Sequence, residues 1–274
     1  MQVTDKIRQR LGTWTDLFVP FIESPTWDGI FDKLFAIKAK GREIVPKSED
    51  VFKSFELCDR NKLKAVVILM DPYPSLTSDN KMIANGVPLS CAGKDKMQPS
   101  LEIWYSGMDD SLFGFNPNLD KRLDNSYLLV EEGVLMLNSS LTCEVNKPGS
   151  HLDIWTPFMQ YFIEEILNKY YSGLPIVLCG AQAQKLEKFI SPLLHYIKKI
   201  EHPVAASYAN RAWKHDNMFS WCNQIITSNN GEEFVIKWHR EKGVQSEKCE
   251  KQKPVPGTKE PLKSAEELGL PWKD

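Results

Sequence analysis

The sequence predicts an α/β fold: a three-layer α/β/α sandwich around a central, mostly parallel four-stranded sheet. Three observations predict it. Short apolar runs recur at 65–70 (AVVILM), 133–137 (GVLML), 174–179 (LPIVLC) and 197–200 (IKKI). The first three are continuous rather than alternating, as parallel strands covered on both faces are. Helical stretches separate the runs, and strands that alternate with helices build parallel sheets.

The elements follow in order. The first run stops at Asp71, inside ILMDPYP, where two prolines and a tyrosine cannot extend a central strand. The second run stops at Asn138. Over 154–170, Ile154, Phe158, Phe162, Ile166 and Tyr170 recur at i, i+4 spacing, which predicts a helix with one apolar face. The third run stops at Gly180, and the residues after it, 181–195, are predicted as a second helix. The fourth is followed by His202, and a third helix is predicted over 214–227.

Length and composition bound the rest. A chain of 274 residues suits one large domain, or one domain with an appendage. A formal net charge of −2 creates no global positive field, although a local basic patch suffices for nucleic acid. No apolar run reaches membrane-spanning length, and MQVTDKIRQR has no apolar signal segment. The expectation is a cytoplasmic or nuclear protein that is not secreted and has no membrane partner. Cys58, Cys91, Cys143, Cys179, Cys222 and Cys249 form no C-x-x-C pair, which points to reduced thiols and away from a metal or cluster. Residues 1–236 hold 25 Lys/Arg and 29 Asp/Glu, whereas 237–274 hold nine and seven with four prolines. The chain therefore divides into a domain at 1–238 and a charged tail at 239–274, predicted to be disordered. The tail's end, SAEELGLPWKD, carries Leu268, Leu270 and Trp272, either a frayed terminus or a short docking peptide.

The strand ends point to function. In open parallel sheets, ligands bind beyond the carboxyl ends of the strands. Asp71, Asn138, Gly180 and His202 would converge there as a carboxylate, a carboxamide, a helix-opening glycine and an imidazole. Each alone is a common turn residue; the four together make a site.

These segments resemble the uracil-DNA glycosylase family. VVILMDPYP is similar to its water-activating Gly-Gln-Asp-Pro-Tyr-His motif, and NGVPLS at 85–90 to the segment that follows it. QPSLEIWY at 98–105 resembles its Pro-Ser-Leu helix start. GVLMLNSSLT at 133–142 is similar to its Leu-Leu-Leu-Asn-x-x-Leu-Thr strand, and GSH at 149–151 with Trp155 to its Ser-His-x-x-x-x-Trp region. VLCGAQAQ at 177–184 and HPVAAS at 202–207 complete the series, in family order from about Trp14 to Trp238.

The resemblance implies hydrolysis of the bond between uracil and deoxyribose in DNA, with no cofactor and no metal. Asp71 would stabilise the cationic sugar and activate water, and His202 would stabilise the departing base anion, helped by backbone N–H groups near Met70. Asn138 would accept from uracil N3–H and donate to O4, which rejects cytosine. Tyr73 would exclude the thymine methyl, because binding alone discriminates a methyl by only roughly 1–3 kcal/mol. The nucleotide must be flipped out of the duplex. Ser90, Gly180, Ala181 and Ser207 would grip phosphates, with Lys147, Arg211 and Lys214 as a basic rim.

Four positions depart from the family. The Gln of the first motif is Met70, and the His after Tyr is Pro74, as in poxvirus glycosylases. The aromatic that stacks on uracil aligns with Leu89. The leucine wedge that enters the duplex aligns with Ala206, and Tyr208 or Trp213 follows as a substitute. These departures keep open a second function: a catalytically weak DNA-binding subunit of a replication complex. The expected partners are uracil-containing DNA and a replication or inhibitor protein, with the chain itself a monomer.

Overall fold

The computed structural model describes residues 3–91, 97–113 and 121–239. The chain opens with three helices, α1 (Val3–Arg10), α2 (Thr15–Ile22) and α3 (Pro25–Ala39). Ser24 caps α3 by accepting from the Trp27 N–H, and Pro25 sits in its first turn, where the missing N–H costs nothing. The short strand β1 (Ile44–Val45), α4 (Lys53–Leu57) and β2 (Ala65–Leu69) follow. Next come α5 (Pro99–Leu112), α6 (Asn125–Glu131), β3 (Val134–Asn138) and β4 (Cys143–Glu144). The helix predicted over 154–170 runs from α7 (Leu152–Tyr161) through a π-helical turn (Phe162–Leu167) into α8 (Asn168–Tyr170). The last elements are β5 (Pro175–Cys179), α9 (Ala181–Gln184), β6 (Tyr196–Ile200), α10 (Pro203–Tyr208) and α11 (Met218–Asn230).

The sheet order is β3-β2-β5-β6, with every pairing parallel. The predicted strands are present within one or two residues. Every residue of β2, β3 and β5 is buried, so both sheet faces are covered, as three layers require. A separate antiparallel pair, β1 with β4, lies outside this sheet.

Two predicted helices differ. The one expected over 181–195 is the four-residue α9, a 3-10 turn to Phe189, and a turn around Pro192, a residue that cannot continue a helix. The one expected from 214 begins at Met218, because Asp216 and Asn217 adopt left-handed φ of 47° and 53°. The amino-terminal helices, which apolar periodicity did not single out, hold an aromatic cluster. Phe18 stacks on Phe158 at 5.1 Å, and Trp14 and Phe55 meet Phe162 edge-on. Each such ring contributes roughly 1.5–3 kcal/mol by burial.

The body extends at least to His239. Trp238 is buried, and its carbonyl accepts from the Asn125 carboxamide. The tail beyond it, with Cys249, Leu268, Leu270 and Trp272, lies outside the described residues. The other five cysteines are buried free thiols.

Candidate active site

The carboxyl ends of β2 and β3 and the residues after β6 open on one cavity of about 520 Å³. Met70, Asp71, Tyr73, Leu89, Ser90, Asn138, His202, Ser207 and Tyr208 all line it. Asp71, Asn138 and His202, far apart in sequence, meet because their strands are parallel and in register; Leu69 faces Asn138 across the β2–β3 ladder. Gly180 does not line the cavity. It supports it from behind with φ of +88°, and a Cβ there would stand 2.9 Å from the Cβ of His202.

Asp71 leaves the strand where prolines fix the chain. Its Oδ2 accepts from the backbone N–H of Gly149. Burial pushes its carboxyl up to about 6, and the Gly149 N–H pulls against that rise. The group is therefore ionised at neutral pH but close enough to neutrality to exchange a proton there.

His202 is the cap residue of α10. Its Nδ1 accepts from the Val204 N–H at 3.2 Å. A neutral imidazole whose Nδ1 accepts carries its proton on Nε2. Burial pulls its pKa down to about 4, so the ring is a neutral Nε2–H donor across the physiological range.

Asn138 is 7% exposed, and its Oδ1 has no hydrogen-bond partner among the described residues. Buried polar atoms are nearly always paired, so an orphaned acceptor in a cavity wall points to a ligand donor. Tyr73 is held by Pro72 and Pro74 and by a 2.8 Å hydrogen bond between its hydroxyl and that of Ser100. Burial raises its phenol pKa, which keeps it neutral. Met70 engages Ser140 through its carbonyl at 3.0 Å. Leu89 is buried at a left-handed φ of 59°, its side chain in the cavity wall.

The residues expected at the phosphates separate into two groups. Ser207 is exposed at the cavity mouth and Ala181 is exposed at the start of α9. Ser90 is 1% exposed, and its hydroxyl is committed to the Asn85 carboxamide at 2.8 Å and the Leu123 carbonyl at 3.4 Å. Its backbone N–H is likewise bound to the Val87 carbonyl. Ala206 is 1% exposed, on the inner face of α10, so it does not present a surface to DNA. Trp213 is buried as well, bonded to the Glu201 carbonyl and packed on Trp104. Tyr208, 86% exposed, is the aromatic that projects at the mouth. The basic rim is partly neutralised: Lys147 pairs with Glu144 at 2.9 Å, and Arg211 pairs with Glu201. Lys214 is exposed.

Gly149 and Ser100 belong to the site as well, although the sequence alone gave them no role. Both lie inside the motifs GSH and QPSLEIWY, but backbone donation and a second-layer hydroxyl leave no mark in residue type.

The uracil-DNA glycosylase of Aliivibrio salmonicida is 31% identical over 227 residues, covering 82% of this chain and 96% of its own. That of Vibrio campbellii is 31% identical over 231 residues, covering 84% and 97%. The chain belongs to the uracil-DNA glycosylase family. Among solved structures, mimivirus uracil-DNA glycosylase superposes with a TM-score of 0.72 at 24% identity, covering 84% of this chain and 88% of that one. A variant of that viral enzyme, solved in complex with UGI, superposes with the same score at 25% identity and covers 82% and 87%. No protein-family model matches the chain.

Proposed function

We propose that this protein hydrolyses the N-glycosidic bond of uracil in DNA, the step that starts base excision repair. The observation that carries the proposal is the meeting in one cavity of the Asp71 carboxyl, the His202 imidazole whose Nδ1 accepts from the Val204 N–H, and the orphaned Asn138 carboxamide oxygen. Family membership supports it.

The bond between C1′ and N1 breaks heterolytically, and its electron pair leaves with the base. The sugar gains oxocarbenium character, which the Asp71 carboxylate stabilises. Uracil departs as an N1 anion whose charge is delocalised onto its carbonyl oxygens. The His202 Nε2–H donates to that charge in a site shielded from water, where a fixed donor is worth most. Water then adds to C1′ and gives its proton to Asp71.

Asn138 reads the base. Its Oδ1 accepts from N3–H, and its Nδ2 donates to O4. Cytosine reverses both positions and leaves the carboxamide unpaired. Tyr73 blocks a methyl at C5. Leu89 packs against the base without aromatic stacking, which forgoes roughly 1–3 kcal/mol. Tyr208 takes the duplex position vacated by the flipped nucleotide, since Ala206 is buried. Ser207 contacts a phosphate at the mouth, and Ala181 contacts one at the start of α9. The mimivirus variant's complex with UGI supports an inhibitor protein as a partner.

The test is release of free uracil from a uracil-containing oligonucleotide by the purified protein. Release that disappears with Asp71→Asn supports the proposal. DNA binding without release would favour the catalytically weak accessory subunit.

A further inference from the structure

The loop of residues 147–151 makes the Asp71 carboxylate's hydrogen bond, and three features fit it for that task. The donor is the Gly149 N–H, and among the described residues it is the carboxylate's single hydrogen-bond partner. Gly149 holds φ of +77°, in the left-handed region where a side chain is strained. A Cβ there would also stand 3.0 Å from Met70 Cε and 3.4 Å from Leu152 Cδ1. The loop thus reaches Asp71 with its backbone because no side chain stands in the way. Met70 and Gly149 fill each other's space beside the carboxylate.

The loop itself is anchored at both ends. The Glu144 N–H donates to the Ser150 hydroxyl at 2.8 Å. Glu144 is bound in turn by Arg42 and Lys147 at 2.8 and 2.9 Å. On the other side His151, fully buried, meets the Thr142 hydroxyl at 2.9 Å, and that hydroxyl accepts from Trp155 Nε1 at 2.7 Å. Thr142 stands four residues after Asn138 on the segment that leaves β3. One braced segment therefore carries the base-reading carboxamide at one end and the clamp on Asp71 at the other.

We propose that Gly149 is a positioning residue for Asp71: its N–H fixes Oδ2 and leaves Oδ1 turned to the sugar and the water. The proposal rests on the function proposed above. An ionised carboxylate held by one oxygen keeps a defined orientation, and a donor on the charged form favours ionisation. Loss of the bond therefore acts on kcat and on the acid limb of the pH profile, and little on substrate capture.

Gly149→Ala is the direct test, on single-stranded uracil oligonucleotide from pH 5 to 9. The expected result is a kcat at least about tenfold lower, with KM within about threefold. The acid limb should move up by roughly one pH unit, the scale of a lost hydrogen bond to a charged group. In an Asp71→Asn background the same substitution should have little further effect, because residues that act as one unit are not additive. Ser150→Ala, which removes the loop's anchor without backbone strain, should move the acid limb in the same direction by less. It serves as the readout if Gly149→Ala does not fold. An unshifted acid limb in the folded variants overturns the proposal. So does an equal loss of rate with and without Asp71. Absence of uracil release by the unmodified protein would instead overturn the proposed function.

Discussion

Replacing Asn138 with leucine should make the protein more stable and nearly inactive. Asn138 is 7% exposed, and its Oδ1 is buried without a partner among the described residues. A buried acceptor left unpaired costs roughly 1–3 kcal/mol, whereas an apolar group of similar shape carries no such cost. The lower half of that range applies, because the carboxamide stands in the wall of a cavity rather than in the closed core. For a domain of this size each kcal/mol moves Tm by about 2–4 °C. Asn138→Leu should therefore raise Tm by about 2–8 °C. The same change removes the acceptor for N3–H and the donor to O4, so kcat/KM on uracil should fall by at least about 1000-fold. Thermal melts at pH 7.5 and single-turnover uracil release measure the two effects on one preparation. A Tm lowered by several degrees, with cleavage within tenfold of the unmodified protein, would refute the reasoning. It would show that the carboxamide is bonded within the fold and is not reserved for the base.

Three further outcomes follow. kcat/KM should fall about tenfold per pH unit below about 6, because burial raises the Asp71 pKa to that value and the ionised form is the active one; above it the profile should be flat, since His202 remains neutral down to about 4. A pH–rate series in one buffer system checks this, and a half-point near 4 would contradict it. Tyr73→Ala should open the site to thymine, read as abasic-site formation opposite adenine, while Tyr73→Phe, which loses only the bond to Ser100, should still cut uracil. Tyr208→Ala should reduce kcat/KM on duplex uracil-DNA at least about fivefold more than on single strands at one salt concentration, because a single strand has no pairing to break; an equal loss on both would remove Tyr208 from the wedge role.

The sheet was legible because β2, β3 and β5 are buried on both faces and their apolar runs are uninterrupted. The site was legible because parallel strands bring their carboxyl ends together, so Asp71, Asn138 and His202 could be grouped from strand ends alone. What escaped depends on geometry that residue type does not encode. Gly149 acts through a backbone N–H, and Ser100 acts through another side chain. Ser90 sits at the expected position, but its hydroxyl is spent on Asn85 and Leu123. The wedge alignment pointed to Ala206, yet α10 turns that residue inward and Tyr208 outward, a matter of helix phase rather than of sequence order. A leucine at 206 would overpack a buried site instead of reaching DNA. The amino-terminal helices escaped because Trp14, Phe18 and Phe21 form a cluster with residues distant in sequence, Phe55 on α4 and, more than a hundred residues on, Phe158 on α7 and Phe162 in the π-helical turn.

The central claim is that Asp71, Asn138 and His202 together cut uracil from DNA without a cofactor. The most direct measurement is free uracil released from a single-stranded uracil oligonucleotide by protein purified in chelator, alongside Asp71→Asn at equal DNA occupancy. The unmodified protein should release uracil, and release should be slowed by orders of magnitude in the variant with its DNA affinity little changed. Equal release by both proteins, or none by either at full DNA occupancy, would contradict it.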